Sequence, residues 1–262
     1  MQDITLYPIS AFIRRIKMDS VKLQSYLESS PNAKLRDVVA EMLYDEIVSL
    51  RIAPGSKLNV NSIASNLGIS RTPVAEAILS LHERGFVTTK SDANGYYVID
   101  LSMRDMIDLY DLRTSLECEA AALCAMHASE ETIDELERLA NEFKEYVIAG
   151  DTAGMIATDL PFHLLIVQTC GNIYIQKCYN LLLPNLTMYQ SSMMNIINSA
   201  SDNPWSTNVI YNHLAVVGAI KMHIPELARQ AMSEHIDSSL SFTMYSGGNS
   251  DPFTFARSKT KK

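Results

Sequence analysis

Residues 58–84, LNVNSIASNLGISRTPVAEAILSLHER, constrain the fold of this chain more than any other stretch, because they carry the pattern of two short amphipathic helices around a tight turn. Ile63, Ala64 and Leu67 fall three or four apart and give the first helix an apolar face of helical period. Gly68 comes just past the last periodic residue, where a left-handed backbone closes a helix, and Ile69 can fold back onto the apolar face. Ser70 or Thr72 caps the second helix, and Pro73 sits in its first turn, where a missing N–H costs nothing. Val74, Ala77, Ile78 and Leu81 face inward, which leaves Arg71, Thr72, Ala75 and Glu76 on the exposed start. A DNA-reading helix-turn-helix has this layout, and so does a purely structural helix pair.

A second signal follows it. Phe86–Thr89 and Tyr96–Ile99 are rich in β-branched and aromatic residues, and Asn94-Gly95 between them suits a hairpin turn. In order, APGSKL, IASNLGISRTPV, GFVTT and NGYYV span residues 52–98 and resemble the N-terminal domain of GntR-family bacterial regulators. The resemblance implies a winged helix in which those two runs are the wing strands. It also implies DNA contacts from Arg36, Arg71, Thr72, Lys90 and Gly95, and a dimer on an inverted-repeat operator. Two departures bear on specificity. Ala75 occupies a position that is commonly arginine in the family, and Asn61 and Ser62 replace an acidic-then-basic pair. Arginine can bind guanine through two hydrogen bonds or pair with phosphate, and alanine can do neither, so a different operator is expected.

Charge and composition divide the chain. Residues 1–100 hold 11 Lys+Arg and 11 Asp+Glu, whereas residues 101–262 hold 11 and 19, so the whole net charge of −8 lies in the second part. The overall field does not attract nucleic acid, and binding must come from a local basic face. At 262 residues and 47% hydrophobic, the chain has material for two moderate cores. No run approaches the roughly twenty apolar residues a membrane span needs, and MQDITLYPISAFIRRIKMDS lacks the apolar core of a secretory signal. A cytoplasmic protein is expected. Cys118, Cys124, Cys170 and Cys178 form no CxxC pair and read as structural thiols.

From Ser102 to Tyr245 the pattern is helical throughout, in segments near 102–128, 130–149, 151–170, 172–199, 205–222 and 225–245. Gly150-Asp151, Gly171-Asn172, Asp202-Asn203-Pro204 and Ile224-Pro225 punctuate them. Such a list predicts an all-α bundle, so the chain is read as mainly α, a winged helix-turn-helix with a small β-hairpin wing followed by a helical bundle. Asp159 and His163 are four apart and share one helical face, and His213 and His235 lie in later helices beside aliphatic residues. Three imidazoles and a carboxylate suit Zn²⁺ or another divalent transition ion such as Ni²⁺ or Mn²⁺. Taken singly, each histidine is more often a satisfied core or surface residue than a ligand.

LYDLRTSLECEAAALCA, DLPFHLLIVQTCGN and NHLAVVGAIK…ELARQAMSEH are similar in order and spacing to the FCD ligand-binding domain of the FadR subfamily. The resemblance covers residues 105–240 and implies a metal site formed by Asp159, His163, His213 and His235. Pro161 departs from the pattern and is harmless only if the helix begins near Thr158; otherwise a kink displaces the aspartate. His223 reads as a cap or surface residue. The resemblance also implies that Arg113 faces the cavity and binds a small organic or sugar acid effector; an intrahelical pair with Glu117 is the alternative. Asn172 is a second effector candidate that can equally cap a helix. Tyr189, Met188, Met193 and Met194 line a pocket or fill the core.

The resulting expectation is a homodimeric repressor, not an enzyme, with residues 34–101 as the DNA-binding domain and 102–245 as the effector domain. A metal-dependent enzyme and a DNA-binding protein without ligand sensing are the alternatives. No Gly-rich phosphate loop, GxSxG elbow or HExxH helix is present. Residues 1–33 are an extension whose basic helix, Ile13–Leu27 with Arg14, Arg15, Lys17 and Lys22, serves as a DNA-backbone arm or as a packing or dimer-contact helix. Residues 246–262 are expected to be a mobile tail.

Overall fold

The computed structural model describes residues 20–91, 93–100, 102–199 and 204–246. The chain divides into two compact units, Met1–Met103 and Arg104–Lys262. In the first, α1 (Ser20–Ser29) packs on α2 (Leu35–Val48), which packs on α4 (Arg71–Glu83), with α3 (Val60–Leu67) against α4. Asn59 caps α3 by accepting the Ser62 N–H. Gly68 ends it at φ +68°, and the Ile69 N–H returns to the Ala64 carbonyl. The turn therefore costs no side-chain strain. Val74, Ala77, Ile78 and Leu81 are buried, as their spacing requires. Ser70 occupies the α4 cap position without a side-chain cap bond.

The sheet has three antiparallel strands in the order β1 (Lys57–Leu58), β3 (Ala93–Val98), β2 (Val87–Lys90). Asn94-Gly95 is not the hairpin turn. The chain reverses between Lys90 and Ala93, which are paired, while Thr89 pairs with Tyr96. Two extra residues on β3 are thus accommodated as a bulge, and Gly95 takes φ +117° there. The positive φ calls for glycine; an added Cβ would also lie 2.9 Å from Lys57 Cε, the movable end of a flexible side chain.

Helix α1 is held on α2 by Leu23, which is buried, by an ion pair from Lys22 to Glu46, and by the Tyr26 hydroxyl donating to Asp45. This part of the extension is a packing helix. Arg14, Arg15 and Lys17 lie outside the described residues, as do residues 247–262 of the expected tail.

The second unit comprises α5 (Met103–His127), α6 (Glu130–Ala149), α7 (Thr152–Thr169), α8 (Ile173–Ser199), α9 (Pro204–Lys221) and α10 (Pro225–Ser246). Helix α7 lies between α6 and α8, and α9 packs on α6 and α10. Ser129, Asp151 and Asn172 cap α6, α7 and α8 through their side-chain oxygens. His223 closes α9 at φ +54°, and its Nδ1 lies 2.8 Å from the Ala125 carbonyl. Phe143, Met155, Met193, Met194, Val209 and Phe242 form one buried cluster, which settles the two methionines as core. The described cysteines are free; Cys118, Cys124 and Cys170 are buried and Cys178 is exposed. Among the described residues no helix is long and apolar enough to cross a membrane.

Two glycine substitutions separate backbone strain from helix propensity. Gly68→Ala is expected to destabilise the first unit by roughly 1–2 kcal/mol, because the left-handed turn penalises a Cβ even where space is open. Gly218→Ala, inside α9 with nothing within 4 Å of the added atom, is expected to stabilise by about 0.5–1 kcal/mol. Urea unfolding of both variants measures the signs.

Candidate functional site

The expected DNA contacts of the first unit lie on α2 (Arg36), on α4 (Arg71 and Thr72) and on the wing strands (Lys90 and Gly95). Arg71, Thr72, Ala75, Glu76 and Leu79 form the exposed stripe of α4, at helical spacing opposite its buried face. Arg71 Nη1 donates to Asn61 Oδ1 at 3.3 Å, which ties the start of α4 to α3. Arg36 is exposed at the start of α2 and pairs with Asp37 at 3.2 Å. On the wing, Lys90 lies 4.8 Å from the Tyr97 ring centroid and Lys57 lies 5.7 Å from it. Lys57 was not legible as a wing residue, because a two-residue strand carries no alternation to detect.

In the second unit Asp159, His163, His213 and His235 converge, with one ligand atom from each within 4.8 Å of the others, and all four are buried. Helix α7 places Asp159 and His163 on its buried face, α9 supplies His213, and α10 supplies His235. Pro161 lies well inside α7, which begins at Thr152, so the expected condition on the helix start is not met. The aspartate is nevertheless in place, since Asp159 Oδ1 stands 3.1 Å from His213 Nε2 and 3.9 Å from His163 Nε2. The proline removes only the N–H that would reach the Ala157 carbonyl, and the face carrying the ligands persists.

Neighbouring groups orient Asp159, His163 and His213. His213 Nδ1 lies 3.0 Å from the Val209 carbonyl, which can only accept, so Nδ1 donates there and Nε2 is the nitrogen turned toward Asp159. Phe143 and Phe162 wall the His213 ring at centroid distances of 4.4 and 4.8 Å. Gln190 Nε2 donates to Asp159 Oδ2 at 2.7 Å and leaves Oδ1 available. His163 Nδ1 stands 2.6 Å from Glu117 Oε2, and the His163 and His235 rings stack at 5.0 Å. A carboxylate behind a ligating imidazole fixes its tautomer and raises its basicity. The donor set, three imidazoles and one carboxylate oxygen, fits a divalent transition ion.

Arg113 forms the intrahelical pair with Glu117 and also reaches the buried cluster. Its Nε donates to Glu117 Oε1 at 2.6 Å, and its Nη2 lies 3.0 Å from His163 Nε2, so the ion pair and the cluster share one guanidinium. Tyr179 hydroxyl adds a 2.9 Å bond to Glu117 Oε1. Burial alone raises the Glu117 carboxyl, but Arg113 and His163 outweigh it and bring the pKa down to about 2. Asp159 is likewise lowered, with burial opposed by His213 and His163. Burial, reinforced by the neighbouring imidazoles and Arg113, pushes His235 well below the usual histidine range. Asn172 corrects an expectation. It is exposed, and its side-chain oxygen accepts from the Tyr174 and Ile175 N–H groups, so helix capping occupies it and it is not part of the buried cluster. Gln190 and Tyr179 were missed because neither has a sequence spacing that ties it to Asp159 or Glu117; only helix packing does.

A winged helix with an exposed recognition stripe defines a protein of the DNA-binding transcription-regulator class. Residues 35–98 match the bacterial regulatory proteins of the gntR family, and residues 108–238 match the FCD domain. The chain belongs to the gntR family of transcriptional regulators and carries an FCD domain. It is 26% identical over 229 residues to the probable D-xylose utilization operon transcriptional repressor of Paenarthrobacter nicotinovorans, covering 86% of this chain and 97% of that one. It is also 26% identical over 199 residues to the gluconate operon transcriptional repressor of Bacillus subtilis (strain 168), covering 76% and 81%. The solved structure of E. coli McbR/YncC has the same fold, with a TM-score of 0.65 at 21% identity over 81% of this chain and 98% of that one. Both curated relatives are named as transcriptional repressors.

The buried network has a measurable stability signature. Glu117→Ala leaves the Arg113 guanidinium buried without its carboxylate and is expected to cost about 3–5 kcal/mol. Tyr179→Phe removes a single bond to the same charge and is expected to cost about 1.5–3 kcal/mol. Equal losses in denaturant unfolding would show that Glu117 does not anchor Arg113.

Proposed function

We propose that this chain is a dimeric repressor whose helical unit binds a divalent transition ion and a small carboxylate that alters DNA binding. The buried convergence of Asp159, His163, His213 and His235 carries this reading. When bound, zinc, or nickel or manganese in its place, supplies Lewis acidity and open positions for an anionic oxygen. Asp159, Glu117 and Arg113 contribute two negative charges and one positive charge. A divalent ion changes the cluster from one net negative to one net positive charge, which favours a carboxylate. Two relatives are named as repressors of a D-xylose utilization operon and a gluconate operon. We accordingly place the effector among organic and sugar acids.

For DNA, a dimer presents two α4 helices to half-sites of an inverted repeat. Arg71 and Thr72 reach base edges or phosphates, Glu76 can accept from a cytosine amino group, and Lys57, Lys90 and Arg36 anchor the backbone. The carboxylate must bind one arrangement of the dimer more tightly than the other, or DNA binding does not change.

Metal removal tests the centre. EDTA is expected to lower the thermal midpoint, by the equivalent of about 4 kcal/mol where the ion had been present at a thousand times its Kd. An unchanged midpoint, together with no metal by elemental analysis, would overturn the metal reading. Genomic fragments selected by the purified protein are expected to share an inverted repeat. His213→Ala should retain that repeat yet no longer change its DNA affinity with a carboxylate that acts on the wild type.

A further inference from the structure

The outward stripe of α4 is apolar along its centre. At about 100° per residue around a helix, Ala75, Leu79 and Thr72 fall within roughly 60° of one another, with Arg71 about 40° to one side and Glu76 about 40° to the other. These residues are exposed, while Val74, Ala77, Ile78 and Leu81 are buried on the opposite face. Leu79 is 45% exposed. A single exposed leucine is ordinary on a protein surface, but this one stands one turn from the Ala75 methyl group, between the charged edges of the stripe. The centre of the stripe holds no side-chain donor or acceptor except the Thr72 hydroxyl. From Thr72 to Leu79 the helix rises about 10 Å, the length of roughly three base steps of duplex DNA.

We propose that this line reads thymine: Ala75 and Leu79, with the Thr72 methyl group, pack on the C5-methyl groups of thymines in the major groove, while Arg71 takes a guanine and Glu76 a cytosine amino group beside them. The inference rests on the DNA-binding reading above and adds the base chemistry of the operator to it. Base pairs present donors, acceptors and a single kind of apolar group in the major groove, the thymine methyl, so a side-chain surface without donors finds its match there. A G·C pair beneath Ala75 and Leu79 offers only polar edge groups, which apolar side chains strip of water without returning a bond. The methyl of an A·T pair gains by being covered. Arg71 stands at the edge of the line, where Nη1 donates to Asn61 Oδ1 at 3.3 Å and holds the guanidinium against α3. The half-site is thus expected to hold thymines at its centre, flanked by the bases that the two charged side chains can pair with.

The test uses the full chain and a synthetic duplex carrying the inverted repeat that genomic selection returns. Thymines of one half-site are replaced one at a time by deoxyuridine, which removes the C5-methyl group and keeps every hydrogen-bonding group of the base. Affinity is measured by fluorescence anisotropy over a range of salt, for the wild type and for Leu79→Ala. In the wild type, loss of a methyl group under the line is expected to weaken binding roughly fourfold, the effect of uncovering about one CH₂-sized group. Leu79→Ala is expected to weaken binding to the thymine duplex by a similar factor of roughly four. The variant should lose the deoxyuridine penalty at the base beneath position 79 and keep it at the base beneath Ala75. Its dependence of affinity on salt should match the wild type, since no phosphate contact is lost. A selected repeat without thymine in its half-sites, or equal affinities for the thymine and deoxyuridine duplexes, would overturn thymine reading while the regulator stands. Deoxyuridine penalties that Leu79→Ala leaves unchanged at every position would do the same. Failure to recover any shared repeat would overturn the DNA-binding reading and this inference with it. If Leu79→Ala does not fold, the wild-type comparison of the two duplexes decides.

Discussion

Glu117 is ionised in a place that water does not reach, and the helical unit is arranged around that charge. Its two oxygens are shared among Arg113, Tyr179 and His163, which come from α5, α8 and α7. A buried carboxylate is stable only with such partners, so each helix that contributes one is held in register with the others. Glu117 Oε2 stands 2.6 Å from His163 Nδ1, which leaves Nε2 as the nitrogen turned toward Asp159, Arg113 and His235. The placement of the His163 ring thus depends on a charge outside the Asp159, His163, His213 and His235 cluster.

The winged helix is organised on a different principle. Its positions are set by apolar packing of α2 and α4 and by a glycine turn, and its charges are mostly at the surface. The recognition stripe carries no net charge, with Glu76 offsetting Arg71 beside Thr72, Ala75 and Leu79. Positive charge is instead supplied by the wing, where Lys57 and Lys90 lie against Tyr97. An acidic chain can bind DNA only through such local placement, and the operator is expected to reflect a reading helix with a single arginine. The N-terminal extension adds a helix to this unit, fastened on α2 through Glu46 and Asp45.

Much of this was legible before any coordinates. The six helices of the second unit lie within a few residues of their expected bounds, because glycine, proline and Asn/Asp punctuation marks where helices start and stop. The helix-turn-helix and its inward face follow from period and from Gly68. The wing was legible in kind but not in detail, since the Asn-Gly pair that usually marks a turn sits in a bulge of the β2–β3 pairing. Pro161 looked like a threat to Asp159, yet a helix packed on two sides tolerates one missing N–H. Asn172 was an open choice between effector and cap; its exposure and its bonds to Tyr174 and Ile175 identify it as a cap.

By itself the sequence determined the helical segments and the helix-turn-helix, because local periodicity and residue spacing are properties of the chain, while the set of three histidines and one aspartate came from a resemblance in motif order and not from spacing. Tertiary structure decided what those residues do to one another. That Arg113, Glu117, Tyr179 and Gln190 stand behind or between the ligands is a matter of helices packing side by side, which no spacing along one helix encodes. Whether Arg113 pairs with Glu117 or faces the cluster looked like a choice from sequence; in the fold it does both, because a guanidinium has several N–H groups and the helices bring an acceptor to each side of it.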